Sequence, residues 1–138
     1  MSAAYKNYLK QEIEGASQAK IVVLLYEAAI KFMRTAAKAM EEKNIENSHN
    51  NLVRAQNIIY ELMSTLNTDA GGDIAEELLK LYDYMIWKLE EANTNKDVRA
   101  VQSVVKIITP LKDAWKEVLA RESEPKKELG AMPLKLMG

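Results

Sequence analysis

His49 is the only histidine in the chain, so it is the one side chain whose ordinary pKa would let it move a proton near neutral pH. It stands between Ser48 and Asn50 in a polar stretch. A metal there would need partners. The paired Glu-x-x-His sets of bundle di-metal sites are impossible with a single histidine. No acidic residue falls on an apolar helical seam, so no buried carboxylate pair is expected for acid–base work or metal binding. Cysteine is absent, which removes thiol nucleophiles, thiolate metal sites and disulfides together. Gly71-Gly72 precedes a helix start, where an anion could sit, but no Lys or Arg stands in that loop and a plain turn is the better reading. These residues specify no catalytic, cofactor-binding or metal site. An enzyme is the last class to expect.

The chemistry on offer is recognition. In Leu81-Tyr82-Asp83-Tyr84-Met85-Ile86-Trp87 a helical period cannot bury every apolar group. Ala75, Leu78, Tyr82, Met85 and Leu89 form one apolar face. Tyr84 and Trp87 then fall on the opposite side, among Glu77, Lys80, Asp83 and Glu91. Aromatic side chains on a polar helix face are the anchors that helix-in-groove binding uses. Further apolar groups lie off the seams of their helices: Val23 and Ile30, with Tyr26 widening the same edge, then Val53, Tyr60, Leu79, Ile86 and Ile107. A bundle needs one apolar face per helix, and this chain carries more.

Four helices are needed to position these groups. Ser17 is the expected N-cap of the first, which runs to about Glu42 on Val22, Leu25, Ala29, Phe32, Met33, Ala36 and Met40. Glu27–Lys31 and Lys38–Glu42 are candidate i,i+4 pairs on its wet face. After the turn Lys43-Asn44, the second helix extends from Ile45 to Leu66 on Leu52, Ala55, Ile59 and Leu62. The composition of 67–72 predicts a loop, and Asp73 with Glu76 predicts a capping box opening the third helix. Asn93-Thr94-Asn95-Lys96 closes it. Asp97 caps the fourth helix, whose seam is Val101, Val104, Ile108, Leu111, Trp115 and Leu119. Pro110 lies inside this pattern and predicts a kink, because the apolar period continues in phase beyond it.

The expected fold is therefore all-α: an antiparallel up-down-up-down four-helix bundle over 17–122, with a short N-terminal arm (1–16) and a mobile C-terminal tail (123–138). The 138 residues are enough for one domain with a core of its own. With 48% hydrophobic and 28% charged residues the composition is that of a soluble globular protein. A formal net charge of −1 provides no overall field for nucleic acid or an anionic membrane. The N-terminus has no basic-then-apolar leader, and no apolar run approaches the ~18 residues of a membrane span, so a cytoplasmic location is expected.

Several stretches in order carry a family resemblance. They are Tyr8 with Ile13, Ala16 and Ser17; Leu25-Tyr26 with Ala29 and Phe32; Ala55-Gln56-Asn57-Ile58-Ile59; Glu61-Leu62; and Leu66-Asn67. Leu81-Tyr82-Asp83-Tyr84-Met85, Ala92-Asn93, Asp97 and Asp113-Ala114-Trp115 continue the series. Over residues 5 to 120 the chain resembles the flagellin-specific export chaperones of the FliS type. Trp87, Pro110 and the junction Gly15-Ala16-Ser17-Gln18 depart from that pattern.

The resemblance implies a cytosolic helical bundle that binds the C-terminal segment of flagellin, prevents premature polymerisation and delivers it to the type III export gate at the membrane. It also implies an N-terminal arm able to cover part of the groove, a role that falls here on Tyr5, Tyr8 and Ile13. No cofactor, metal or nucleic acid is expected as a partner, no membrane insertion, and a monomer or weak dimer in solution. The alternative is a helical interaction module that self-associates or binds a flagellar regulator or co-chaperone. The apolar run Met132-Pro133-Leu134-Lys135-Leu136-Met137 raises one further idea, a tail that folds back as a weak internal competitor.

Overall fold

Ser17 begins the first helix by accepting a hydrogen bond from the Lys20 amide at 3.2 Å, as its residue type predicts. A computed structural model describes residues 17–66 and 68–122, excepting the side chains of 68–70. Four helices follow in order: α1 Gln18–Glu41, α2 Ile45–Thr65, α3 Thr68–Asn95 and α4 Val98–Glu122. The arm and the tail lie outside the described residues, and so do the expectations placed on them.

The α1–α2 and α3–α4 turns share one device. Asn44 N–H reaches back to Ala39 O at 2.8 Å, and Asp97 N–H to Ala92 O at 3.0 Å, the 6→1 bond that closes a helix end. Such a closure needs a left-handed residue, and Lys43 (φ 62°) and Lys96 (φ 51°) supply it where glycine is usual. Each next helix is capped at once. Asn44 Oδ1 accepts from Asn47 N–H, and Asp97 Oδ1 accepts from Arg99 N–H at 3.0 Å.

The α2–α3 connection departs from expectation. The backbone is already helical from Thr68, so 67–72 is not simply a loop. Gly72, at φ 56° and ψ −133°, interrupts the helix just before Asp73, in a region that side-chain-bearing residues rarely adopt. The expected start at Asp73 is thus the start of the regular part only. In α4 the helix runs on through Pro110 to Glu122. Glu27 reaches across to Lys116 of α4 at 3.6 Å instead of pairing with Lys31.

The helices form a closed ring in which α1 contacts α2 and α4, and α3 completes the square between α2 and α4. Alanines let α1 approach its two neighbours closely: Ala19, Ala29, Ala36 and Ala37 on α1 are buried, as are Ala55 on α2 and Ala100 on α4. The core seams are the expected ones, with Leu52, Ile59, Leu62, Met85, Leu89, Val101, Val104 and Ile108 enclosed. Two polar side chains join them. Ser48 Oγ donates to Ile45 O at 2.8 Å, and Asn51 Nδ2 donates to Asn47 O at 2.8 Å, so each satisfies itself within its own helix.

A polar contact crosses the middle of the bundle. Tyr26 of α1 and Tyr82 of α3 meet hydroxyl to hydroxyl at 2.5 Å, both buried. Trp115 of α4 is buried in the same core. Either hydroxyl can donate to the other. Burial pushes both phenols up, Tyr82 to about 12 and Tyr26 further still. The diagonal pair α1 and α3 is thus tied hydroxyl to hydroxyl.

Candidate client-binding faces

α3 carries its apolar seam on one side and its aromatic pair on the other. Tyr84 is 43% exposed and Trp87 is 55% exposed, with ring centroids 5.9 Å apart and the planes tilted by 42°. Lys88 sits over the Trp87 ring at 5.6 Å and bonds Glu91 at 3.0 Å. That hydrogen bond to Glu91 is the main influence holding the Lys88 ammonium above the ordinary lysine range. The two rings thus form a patch fixed at one edge by a cation.

A second strip lies along α2. Tyr60 is 51% and Val53 37% exposed. The exposed His49 fixes which flank this is, because its Nδ1 meets Asn93 Nδ2 of α3 at 2.9 Å. Val53 and Tyr60 follow at i+4 and i+11 from His49, within about 40° of its phase, so they border the α2–α3 groove. His49 is solvated, as expected, but it also serves as an inter-helix link that its sequence neighbours gave no sign of. Leu79 and Ile107 are half-buried, Ile107 packing against the core.

The remaining described candidates need correction. Val23, Tyr26, Ile30 and Ile86 are buried and offer no free surface in this conformation. The reason is packing geometry. A helix held between two neighbours buries an arc wider than one seam, so positions flanking the α1 seam face α4 and not solvent. Tyr5, Tyr8 and Ile13 lie outside the described residues.

Net charge concealed a third feature. Between α1 and α4 runs an open groove of about 360 Å³ with Met33, Ala37, Val101 and Val105 on its floor and Arg34, Lys38 and Lys106 among its rim residues. A neighbouring hollow of about 370 Å³ continues it past Ile30 to Lys31 and Lys112. The spacing Lys31, Arg34, Lys38 was the available signal, since i, i+3 and i+7 share one helix face. No group of three or more His, Asp or Glu among the described residues is arranged to hold a metal. No described helix is long and apolar enough to cross a membrane.

The comparisons agree with this architecture. The family model "FliS: Flagellar protein FliS" matches residues 1–122. A flagellar secretion chaperone FliS of Bacillus subtilis (strain 168) is 32% identical over 128 residues, 93% of this chain and 95% of that protein. Its counterpart from Vibrio cholerae is 35% identical over 116 residues, covering 83% and 85%. A crystal structure of a flagellar chaperone from bacteria matches with a TM-score of 0.70 over 85% of this chain and 95% of that one. At 21% identity that likeness bears on the fold alone. Model and relatives together place the chain in the FliS family of flagellar proteins, a family of chaperones and not of enzymes.

Proposed function

We propose that this protein is a cytosolic flagellar secretion chaperone that binds the C-terminal segment of flagellin, keeps it from polymerising early and brings it to the type III export gate. The observation that carries the reading is the exposed Tyr84–Trp87 pair, on a helix whose core face is already complete without it. Family membership names the process, and the aromatic pair and the Val53–Tyr60 strip are the surfaces offered to a client. Anchors of this kind contribute ~2 kcal/mol or more each. A client that folds as it binds loses chain entropy, so useful affinity requires a long interface reaching several patches.

The test is a calorimetric titration of the full chain with a flagellin C-terminal peptide at several temperatures, followed in parallel by tryptophan emission. A large negative heat-capacity change is expected, with an emission shift that Trp87→Phe abolishes, since Trp115 is already buried. Absence of heat and of any emission change at micromolar peptide overturns the proposal.

A further inference from the structure

We propose that the tail segment Met132-Pro133-Leu134-Lys135-Leu136 of this chain docks in the α1–α4 groove of the same molecule. The groove is open, its floor is apolar at Met33, Ala37, Val101 and Val105, and its rim carries Arg34, Lys38 and Lys106 with one carboxylate, Glu41. Such a site fits a segment that is apolar along one edge and carries little charge. Met132, Leu134 and Leu136 alternate with other residues, so an extended chain puts all three on one side.

The reach fits the groove. α4 ends at Glu122. At 1.5 Å per residue, Val105 lies about 26 Å back along the helix and Val101 about 32 Å. An extended chain advances about 3.3 Å per residue, so Ser123 to Met132 span up to about 33 Å. That is enough to reverse direction at Pro125 and bring Met132 level with Val105. From there the spacings agree. Alternate residues of the segment are about 6.6 Å apart, and helix residues four apart, such as Val105 and Val101 or Met33 and Ala37, are about 6 Å apart. Met132 and Leu134 therefore cover both pairs in one register.

The direction of the segment also sets its charges. α1 and α4 run antiparallel, because Glu27 meets Lys116 toward one end while Ala37 and Val101 line the groove together toward the other. A segment returning along α4 thus runs parallel to α1, toward Glu41. Lys135 arrives at the one carboxylate of the rim, past its cations. Glu128, about 13 Å before Met132, falls over the neighbouring hollow with Lys31 and Lys112. Lys126 and Lys127 lie farther back, level with Asp113 and Glu117 of α4. The docked tail leaves Tyr84 and Trp87 free, since α3 lies across the ring from α1. The contact does not rest on the client reading above. A client that needs this groove has to displace the tail, and the fraction of molecules with the groove open scales its affinity.

The whole chain tests this without any client. It contains no cysteine, so a single nitroxide can be attached through Ala131→Cys, next to the docking segment. Amide resonances near the label then lose intensity. Those of Arg34, Ala37, Val105 and Lys106 should lose most of theirs, while those of Val53 and Tyr60, on the α2–α3 side, keep theirs. Adding Leu134→Asp with Leu136→Asp to the labelled chain should abolish the loss at the groove, with circular dichroism verifying that the variant folds. Mixing isotope-labelled chain that lacks the nitroxide with nitroxide-bearing chain that lacks the isotope should give no loss, because the contact is within one molecule. Loss confined to the end of α4 near Glu122, loss centred on another face, loss that survives the two substitutions, or loss in the mixture each overturns the proposal.

Discussion

Removing one oxygen from the centre of the bundle should cost stability by stranding the hydroxyl that faced it. In Tyr26→Phe the Tyr82 hydroxyl loses its partner, and in Tyr82→Phe the Tyr26 hydroxyl does, each in a buried position. An unsatisfied buried polar group costs ~1–3 kcal/mol, so each variant should lose about that much. That is a large part of the ~5–15 kcal/mol typical of a domain. The double variant leaves neither hydroxyl orphaned, so its loss should fall short of the sum of the singles by ~1 kcal/mol or more. Urea unfolding followed by far-UV circular dichroism measures all three. An unchanged slope against denaturant keeps the comparison valid. A Tyr26→Phe loss below ~0.5 kcal/mol, or a double variant equal to the sum of the singles, would refute the paired-hydroxyl argument.

The same pair makes the fold sensitive to alkali. Both phenols bind their protons more tightly in the folded state, so their contribution is complete below about pH 10 and is lost as pH rises from about 10 toward 12, where Tyr82 titrates, and beyond. Each tyrosine removes ~1.4 kcal/mol per pH unit in that window, about 3 kcal/mol for the two, and Tyr26→Phe should make the decline visibly shallower. At the α1–α2 turn Lys43 holds a left-handed conformation that glycine adopts without strain. Lys43→Gly should therefore stabilise the protein by ~0.5–1 kcal/mol, seen as a higher urea midpoint.

Helix periodicity made most of the bundle legible, because caps and turns agreed with it. Ser17, Asn44 and Asp97 each do in the structure what their residue type predicts at that position. The start of α3 was misread because Ala70-Gly71-Gly72 looks like loop by composition, whereas only Gly72 leaves the helical region. The candidate site was legible wherever a side chain points away from every neighbour, as Tyr84 and Trp87 do. It was illegible at the flanks. Whether Val23 or Ile30 meets solvent depends on how near α4 lies, and the alanines that set that distance are scattered over three helices. The basic groove was missed for a related reason: a total charge of −1 averages the cations beside α1 and α4 with the carboxylates of α3.

Tyr82 and Tyr84 are two residues apart, and Trp87 and Trp115 share a side chain, yet each pair divides between core and water. Phase alone explains the placement, because two helical steps turn a side chain through about 200°. Polar satisfaction explains why the division is stable. The buried Tyr82 has a partner for its hydroxyl in Tyr26, so the core needs neither of the exposed rings. Tyr84 and Trp87 are therefore not packing residues displaced by crowding. They cost the chain exposed aromatic surface, and a bundle cross-tied through Tyr26 holds them on a helix that cannot easily reorient. A client that must fold as it binds gains most from such a template, since only one of the two partners then loses conformational freedom.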